Sequence, residues 1–131
     1  MNVQSKTNLT PGPLGQHVIV EFHGATHLTE SAETASVLRD AARAAGAVVL
    51  DVKLHDFGMR HGYTGVALLA ESHISIHTWP EHGYAAVDIF MCGDAEPLKS
   101  LAVLRAFFAP SAERVTTLKR GEMVLEEAMG E

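Results

Sequence analysis

The sequence predicts an α+β fold, in which two helices cover one face of a sheet in the element order β-α-β-β-β-β-α-β. Two segments carry apolar side chains at the three- and four-residue spacing of a helix face, whereas six short segments are rich in β-branched and aliphatic residues. The chain has 131 residues, of which 47% are hydrophobic and 20% are charged. This length and composition suit one globular domain, so we expect residues 1–131 to form a single two-layer domain.

A strand, a helix and a second strand are predicted in the first half of the chain. Residues 1–15 are polar and contain prolines and glycines, which predicts a mobile arm. The strands are His17–Phe22 and Val48–Leu54, and residues 55–63 form a loop punctuated by glycines. The helix runs from about Ser31 to the residue before a glycine at position 46, which ends it. Its apolar stripe consists of Ala35, Leu38, Ala42 and Ala45.

Three closely spaced strands, a helix and a last strand are predicted in the second half. The strands are Thr64–Ala70, His73–Thr78, Tyr84–Met91 and, at the end, Arg114–Lys119. The helix lies before Pro110, which ends it, and a proline at position 97 is tolerated in its first turn. Its cap is predicted to be Asp94 or Glu96, and its apolar stripe to consist of Leu98, Leu101, Leu104 and Phe108.

Charge and cysteine content exclude several classes of protein. A net charge of −6 argues against binding to nucleic acid, which depends on neutralising phosphates. The one cysteine, Cys92, cannot form a disulfide within the chain. Neither a secretory apolar core at the start nor a run of about 20 apolar residues is seen. We therefore expect a cytoplasmic protein with no membrane or nucleic-acid partner.

Polar side chains gather on one face of two neighbouring predicted strands. Because successive side chains of a strand point to opposite faces, His73, Ser75 and His77 share one face. In the next strand, Asp88 and Cys92 lie on the same side as one another. If the two strands pair, these side chains form either the solvated side of an open sheet or a binding site. By itself the cysteine is more often a small buried side chain than a reactive thiol.

A metal site is not expected among these residues. His73 and His77 are four positions apart, which in a strand places them about 13 Å from each other. The chain also lacks a Cys-x-x-Cys pair and a helical His-x-x-x-His pair, the usual zinc-binding spacings.

Three motifs with fixed gaps suggest a specific chemistry. They are Glu71-Ser72-His73, the segment His77-Thr78-Trp79-Pro80-Glu81, and Cys92-Gly93. With the stretch 64–94 around them and Lys119-Arg120-Gly121 near the end, they resemble the small prokaryotic S-adenosylmethionine decarboxylase proenzymes, and the likeness extends from residue 17 to residue 121.

The resemblance implies an enzyme that makes its own cofactor. The chain would cleave itself between Glu71 and Ser72, giving fragments 1–71 and 72–131, and Ser72 would become a pyruvoyl group. This group forms a Schiff base with the amine of an amino-acid-type small-molecule substrate, as pyridoxal phosphate does in other decarboxylases. The implied reaction converts S-adenosylmethionine to the aminopropyl donor for spermidine synthesis.

The resemblance also implies roles for individual residues. His77 corresponds to the base that acts in processing, Thr64 to a hydroxyl residue that assists it, and Cys92 to the donor of a proton to carbon. Glu81 corresponds to the acid that binds the ribose hydroxyls, Trp79 to a residue near the pocket, and Phe57 to the phenylalanine that stacks on adenine. The family further implies a homodimer of cleaved protomers, in which two sheets pack face to face as a four-layer αββα sandwich.

Two loops depart from the family pattern, and they leave alternatives open. The segment Phe57–Gly62 is longer than expected and lacks a proline, and Gly24–His27 lacks an expected cysteine. Both loops bear on substrate recognition, so the same chemistry on arginine or ornithine is an alternative. Two other classes are a binding or regulatory module that is not cleaved, and a hydrolase that uses Cys92 and His77.

Overall fold

Six antiparallel strands form one sheet in the computed structural model, which describes residues 13–122. The strands are β1 (Gly15–His23), β2 (Val49–Asp56), β3 (Tyr63–Leu69), β4 (Ser72–Trp79), β5 (Tyr84–Cys92) and β6 (Ala112–Arg120). Their order across the sheet is β2-β3-β4-β5-β1-β6. The helices are α1 (Ser31–Ala44) and α2 (Pro97–Phe108), and a short 3-10 turn spans Pro80–His82. The predicted α+β fold and element order are confirmed.

Some strands begin earlier or end later than predicted, because pairing with their neighbours extends them. Gly15 is paired with Cys92 on one side and Arg120 on the other, so β1 begins two residues before the predicted start at His17. At the far end of β2, His55 pairs with Thr64, and the strand continues to residue 56. Residues 1–12 of the predicted mobile arm lie outside the part of the chain that the structure describes.

The hydrophobic core lies between the two helices and one face of the sheet. The four central strands, β3, β4, β5 and β1, bury alternate side chains on this face, whereas every residue of the edge strand β6 is exposed. The helix α1 contributes the leucine and alanines predicted for it, except that Ala35 is only half-buried. The largest buried apolar side chains include Phe22, Ile74, Ile76, Ile89, Met91, Leu38, Leu104 and Phe108. The opposite face of the sheet has no helix on it in residues 13–122, and we call it the open face.

The prediction for α2 is wrong at Leu98, whose side chain is 57% exposed. The buried stripe passes instead through Pro97, Leu101, Leu104 and Phe108, and Leu98 lies about 100° around the helix from its centre. Contact with α1 sets this rotation, since the buried Ser100 hydroxyl donates a hydrogen bond to the Ala41 carbonyl at 2.6 Å.

The cap predicted for α2 is confirmed only in its position. Glu96 is the N-cap residue, but its side chain makes no capping hydrogen bond. Its carboxylate instead lies 3.2 Å from the Lys99 ammonium group. Neither helix in the described region is long and apolar enough to cross a membrane.

Candidate active site

The Glu71–Ser72 bond lies at the tip of the hairpin that joins β3 to β4. Leu69 pairs directly with Ser72, so Ala70 and Glu71 alone make the turn. Glu71 has a φ of +64°, in the left-handed region that costs a residue with a side chain roughly 1–2 kcal/mol. The tightness of the turn therefore places a strained residue immediately before the predicted cleavage bond.

Cys92 ends the neighbouring strand beside Ser72. The backbone N–H of Cys92 donates a hydrogen bond of 3.4 Å to the Ser72 hydroxyl oxygen. The thiol is half-buried and forms no disulfide. The structure thus brings together the predicted pyruvoyl precursor and the predicted proton donor, which are 20 residues apart in the chain.

A cavity of about 470 Å³ adjoins these two residues. It opens between the end of α1 and the loop that precedes α2. Its wall combines the small side chains Ala44, Ala45, Ala47, Ala70 and Ala95 with the charged side chains Arg43, Asp94, Glu96 and Lys99.

His77 lies at the other end of β4 with Thr64. The two residues are directly opposite each other on β3 and β4. The Thr64 hydroxyl and His77 Nδ1 are hydrogen-bonded at 3.0 Å. Because Nδ1 is used in this bond, Nε2 is the nitrogen that can face a reacting group.

The predicted substrate-binding residues lie at this same end. Trp79 is 39% exposed and stacks on Tyr84, with ring centroids 5.3 Å apart. Glu81 lies in the 3-10 turn that follows Trp79. Phe57 follows β2 and is 54% exposed, with its ring packed edge-on against another ring at 4.8 Å.

The structure therefore separates the predicted site residues into two groups. One group, which we call the cleavage end, consists of Glu71, Ser72 and Cys92. The other group, which we call the His77 end, consists of the remaining five residues: His77, Thr64, Glu81, Trp79 and Phe57. Ser72 and His77 are five positions apart, so they are about 16 Å apart along β4, and their side chains point to opposite faces. Within one chain, His77 cannot contact Ser72.

A further polar cluster occupies the centre of the open face. Asp88 Oδ1 lies 3.0 Å from the Nε2 atoms of both His17 and His73, and its other oxygen accepts a hydrogen bond from Ser75. Burial raises the pKa of Asp88, but the hydrogen bonds from Ser75, His17 and His73 outweigh burial and hold this pKa below its ordinary value.

Sequence reasoning identified only part of this cluster. Strand alternation placed Ser75, His73 and Asp88 among the polar side chains of paired strands, and the pairing of Ser75 with Asp88 confirms it. It missed His17, which is 71 positions from Asp88, because no local pattern reveals that β1 lies next to β5.

Comparison with known proteins gives the family. A family model described as S-adenosylmethionine decarboxylase matches residues 16–121. The S-adenosylmethionine decarboxylase proenzyme of Thermomicrobium roseum is 42% identical over 112 residues, covering 85% of this chain and 97% of that protein. The proenzyme of the same name from Methanococcus vannielii is 44% identical over 119 residues, covering 88% and 97% respectively.

A solved structure agrees with these relatives. The crystal structure of the adenosylmethionine decarboxylase from Aquifex aeolicus matches with a TM-score of 0.78 and 30% identity, covering 88% of this chain and 98% of that chain. The family model spans most of the sequence, and the relatives are matched over nearly their whole length. The resemblance predicted from the motifs is confirmed, and this chain belongs to the S-adenosylmethionine decarboxylase family.

Proposed function

We propose that this protein cleaves itself between Glu71 and Ser72 and then decarboxylates S-adenosylmethionine with a pyruvoyl group formed from Ser72. The observation that carries the proposal is the cleavage end, where a strained hairpin turn holds the Ser72 hydroxyl beside Cys92. The substrate follows from the relatives, which are named for S-adenosylmethionine and not for arginine or ornithine.

The cleavage needs only groups that the chain supplies, together with water. The Ser72 hydroxyl oxygen attacks the Glu71 carbonyl carbon, the peptide C–N bond breaks, and the nitrogen of residue 72 takes up the hydroxyl proton. A base then removes the Cα proton of residue 72, and the bond from Cβ to the ester oxygen breaks, which releases the Glu71 carboxylate. Water replaces the nitrogen of the resulting dehydroalanine, ammonia leaves, and a pyruvoyl group remains.

The strained turn favours this sequence of steps. When the peptide bond breaks, Glu71 stays joined to residue 72 only through the longer ester link to the Ser72 side chain, so the two-residue turn no longer has to hold Glu71 in a left-handed conformation. Glu71 becomes a chain end when that ester is eliminated. Part of the roughly 1–2 kcal/mol of strain is therefore released as the bond breaks.

The base must come from a second copy of the chain if it is His77. A second protomer packed on the open face, with its strands running the opposite way, brings its own His77 end over the cleavage end of the first. We propose this homodimer, with two composite sites. The open face supports it because it exposes apolar side chains on β3 and β6, with exposed fractions of 39% for Val66, 52% for Leu68 and 45% for Leu118.

Substrate binding is shared between protomers in this arrangement. The Glu81 carboxylate can accept hydrogen bonds from ribose hydroxyls, and the exposed rings of Trp79 and Phe57 offer flat faces for adenine. A pyruvoyl group at residue 72 supplies a ketone for the substrate amine and a carbonyl that takes up the electron pair of the breaking bond. Cys92 lines the same cavity as residue 72, and its thiol supplies the proton that the product carbon needs.

The intact mass of the purified protein under denaturing conditions tests self-processing. We expect two fragments, residues 1–71 and residues 72–131, with the second fragment bearing a carbonyl that borohydride reduces. Ser72→Ala should remain one chain because it lacks the nucleophile. A wild-type protein of intact, unmodified mass would contradict the proposal and favour a binding or regulatory module.

Release of CO₂ from S-adenosylmethionine, arginine and ornithine, measured side by side on the cleaved protein, tests the substrate. We expect release from S-adenosylmethionine alone. Release only from a basic amino acid would retain the pyruvoyl chemistry and reject the substrate.

A further inference from the structure

Asp88 joins the two strands that enclose the cleavage end. We propose that Asp88 is a positioning residue, which acts through His73 to hold residue 72 in place once the chain is cut. The proposal rests on the proposed function, since it concerns the chain end that self-cleavage creates. It assigns no chemical step to Asp88, whose side chain is hydrogen-bonded to other residues than residue 72.

The need for such an anchor arises from the cut itself. Before cleavage, residue 72 is held from both sides, by the turn before it and by His73 after it. After cleavage it becomes a chain terminus, and chain termini fray unless they are tied down. His73 is then the first residue that can restrain the reactive group through a side chain.

One carboxylate holds two positions of β4. The Oδ1 atom of Asp88 accepts a hydrogen bond from His73 Nε2 at 3.0 Å, and its Oδ2 atom accepts one from the Ser75 hydroxyl. Ser75 is directly opposite Asp88 in the strand pairing, and His73 lies one diagonal step toward the cut. Fixing positions 73 and 75 together sets both the register and the direction of the segment that ends at residue 72.

The other residues of the cluster fix the carboxylate in turn. A guanidinium N–H of Arg120 donates a hydrogen bond to His17 Nδ1 at 3.1 Å. Because Nδ1 accepts this bond, the ring proton of a neutral His17 lies on Nε2. This N–H donates a hydrogen bond to Asp88 Oδ1. The ring of Phe90 packs against both imidazoles, with centroid distances of 5.6 Å to His17 and 5.8 Å to His73. Asp88 therefore accepts hydrogen bonds from donors on both neighbouring strands.

The cluster also has the composition of a metal site, and the hydrogen bonds argue against that assignment. Ligand atoms of His17, His73 and Asp88 lie within 4.8 Å of one another. A histidine binds a metal through an unprotonated nitrogen. Because Arg120 donates to Nδ1, the Nε2 atom of His17 carries the proton and has no lone pair for a metal.

The test compares Asp88→Asn with Asp40→Asn, a matched change at an exposed position of α1. We expect Asp88→Asn to lower the kcat of the cleaved enzyme roughly tenfold or more, because small displacements of a reacting group are costly. The KM should change by less than about twofold, since the residues predicted to bind substrate lie at the His77 end. Amide hydrogen exchange at residues 73–76 should accelerate in the cleaved protein and much less in an uncut Ser72→Ala background.

Two variants of His73 separate positioning from a general loss of structure. His73→Gln keeps a hydrogen-bond donor for Asp88, so its kcat should stay within a few fold of wild type. His73→Leu has no such donor, and its kcat should fall as far as that of Asp88→Asn. If Asp88→Asn matches Asp40→Asn in kcat and in amide exchange, the inference is wrong while self-cleavage stands. A wild-type chain that never cuts would instead overturn the proposed function.

Discussion

At the scale of single residues, Cys92 offers two independent groups to the proposed chemistry, its backbone N–H and its thiol. Its backbone N–H donates to the Ser72 hydroxyl oxygen at 3.4 Å, and every substitution other than proline keeps that N–H. Its thiol is a separate group that carries a transferable proton. In the proposed function the two groups serve two stages, because the N–H would orient the nucleophile during cleavage and the thiol would donate a proton during turnover.

Substituting the side chain alone should separate these stages. We expect Cys92→Ala to cleave within a few fold of the wild-type rate, while its kcat falls by about 10²–10⁴, the usual range for loss of a general acid. Cleavage is measured on denaturing gels and turnover by CO₂ release. Cys92→Ser is the matched variant of similar size. Its kcat should fall as far as that of Cys92→Ala, because a hydroxyl is a far weaker acid than a thiol. Normal turnover in Cys92→Ala would reject the thiol as proton donor.

The same residues show how far sequence reasoning reaches. The polar face of β4 and β5 could be predicted because alternation depends only on neighbouring positions, and His73 and Asp88 are indeed joined. The contacts of Asp88 with His17, and of His17 with Arg120, span 71 and 103 positions. They depend on β1 lying between β5 and β6, an arrangement that no local pattern encodes.

At the scale of elements, the hairpin between β3 and β4 determines where the strain is located. Antiparallel pairing continues up to Leu69 and Ser72, which leaves only two residues to reverse the chain. One of them, Glu71, takes a conformation that glycine adopts without a penalty from Cβ. A glutamate at this position keeps the uncut turn less stable than a glycine would.

Replacing that residue should therefore slow the reaction. We expect Glu71→Gly to stabilise the uncut chain by roughly 1 kcal/mol and to slow self-cleavage by up to about tenfold. Stability is measured by denaturant unfolding in a Ser72→Ala background, and cleavage on gels with Ser72 intact. Arg60→Gly is the matched control, because Arg60 has almost the same φ, +65° against +64°, in the loop between β2 and β3. If Glu71→Gly and Arg60→Gly cleave themselves at the same rate, strain at the turn does not contribute to the rate of self-cleavage.

At the scale of the whole molecule, the distance along β4 is the reason for proposing a dimer with His77 as the base. The cleavage end and the His77 end lie at opposite ends of the same strand, about 16 Å apart. The residues of both groups could be named from the motifs, and strand spacing separates positions 72 and 77, but the pairing that brings Thr64 to one end of β4 and Cys92 to the other is seen only in the structure. In the proposed dimer each protomer contributes two half-sites, which combine into two complete sites.

Mixing two inactive variants tests this arrangement directly. Ser72→Ala lacks the nucleophile and His77→Ala lacks the base, so each should stay uncut when expressed alone. Expressed together with different tags, they form mixed dimers in which the His77→Ala chain has its own Ser72 and receives His77 from its partner. We expect only that chain to be cut, in up to about half of its copies if chains pair at random. Cleavage of His77→Ala alone, or no cleavage in a verified mixed dimer, would reject a base that acts between protomers.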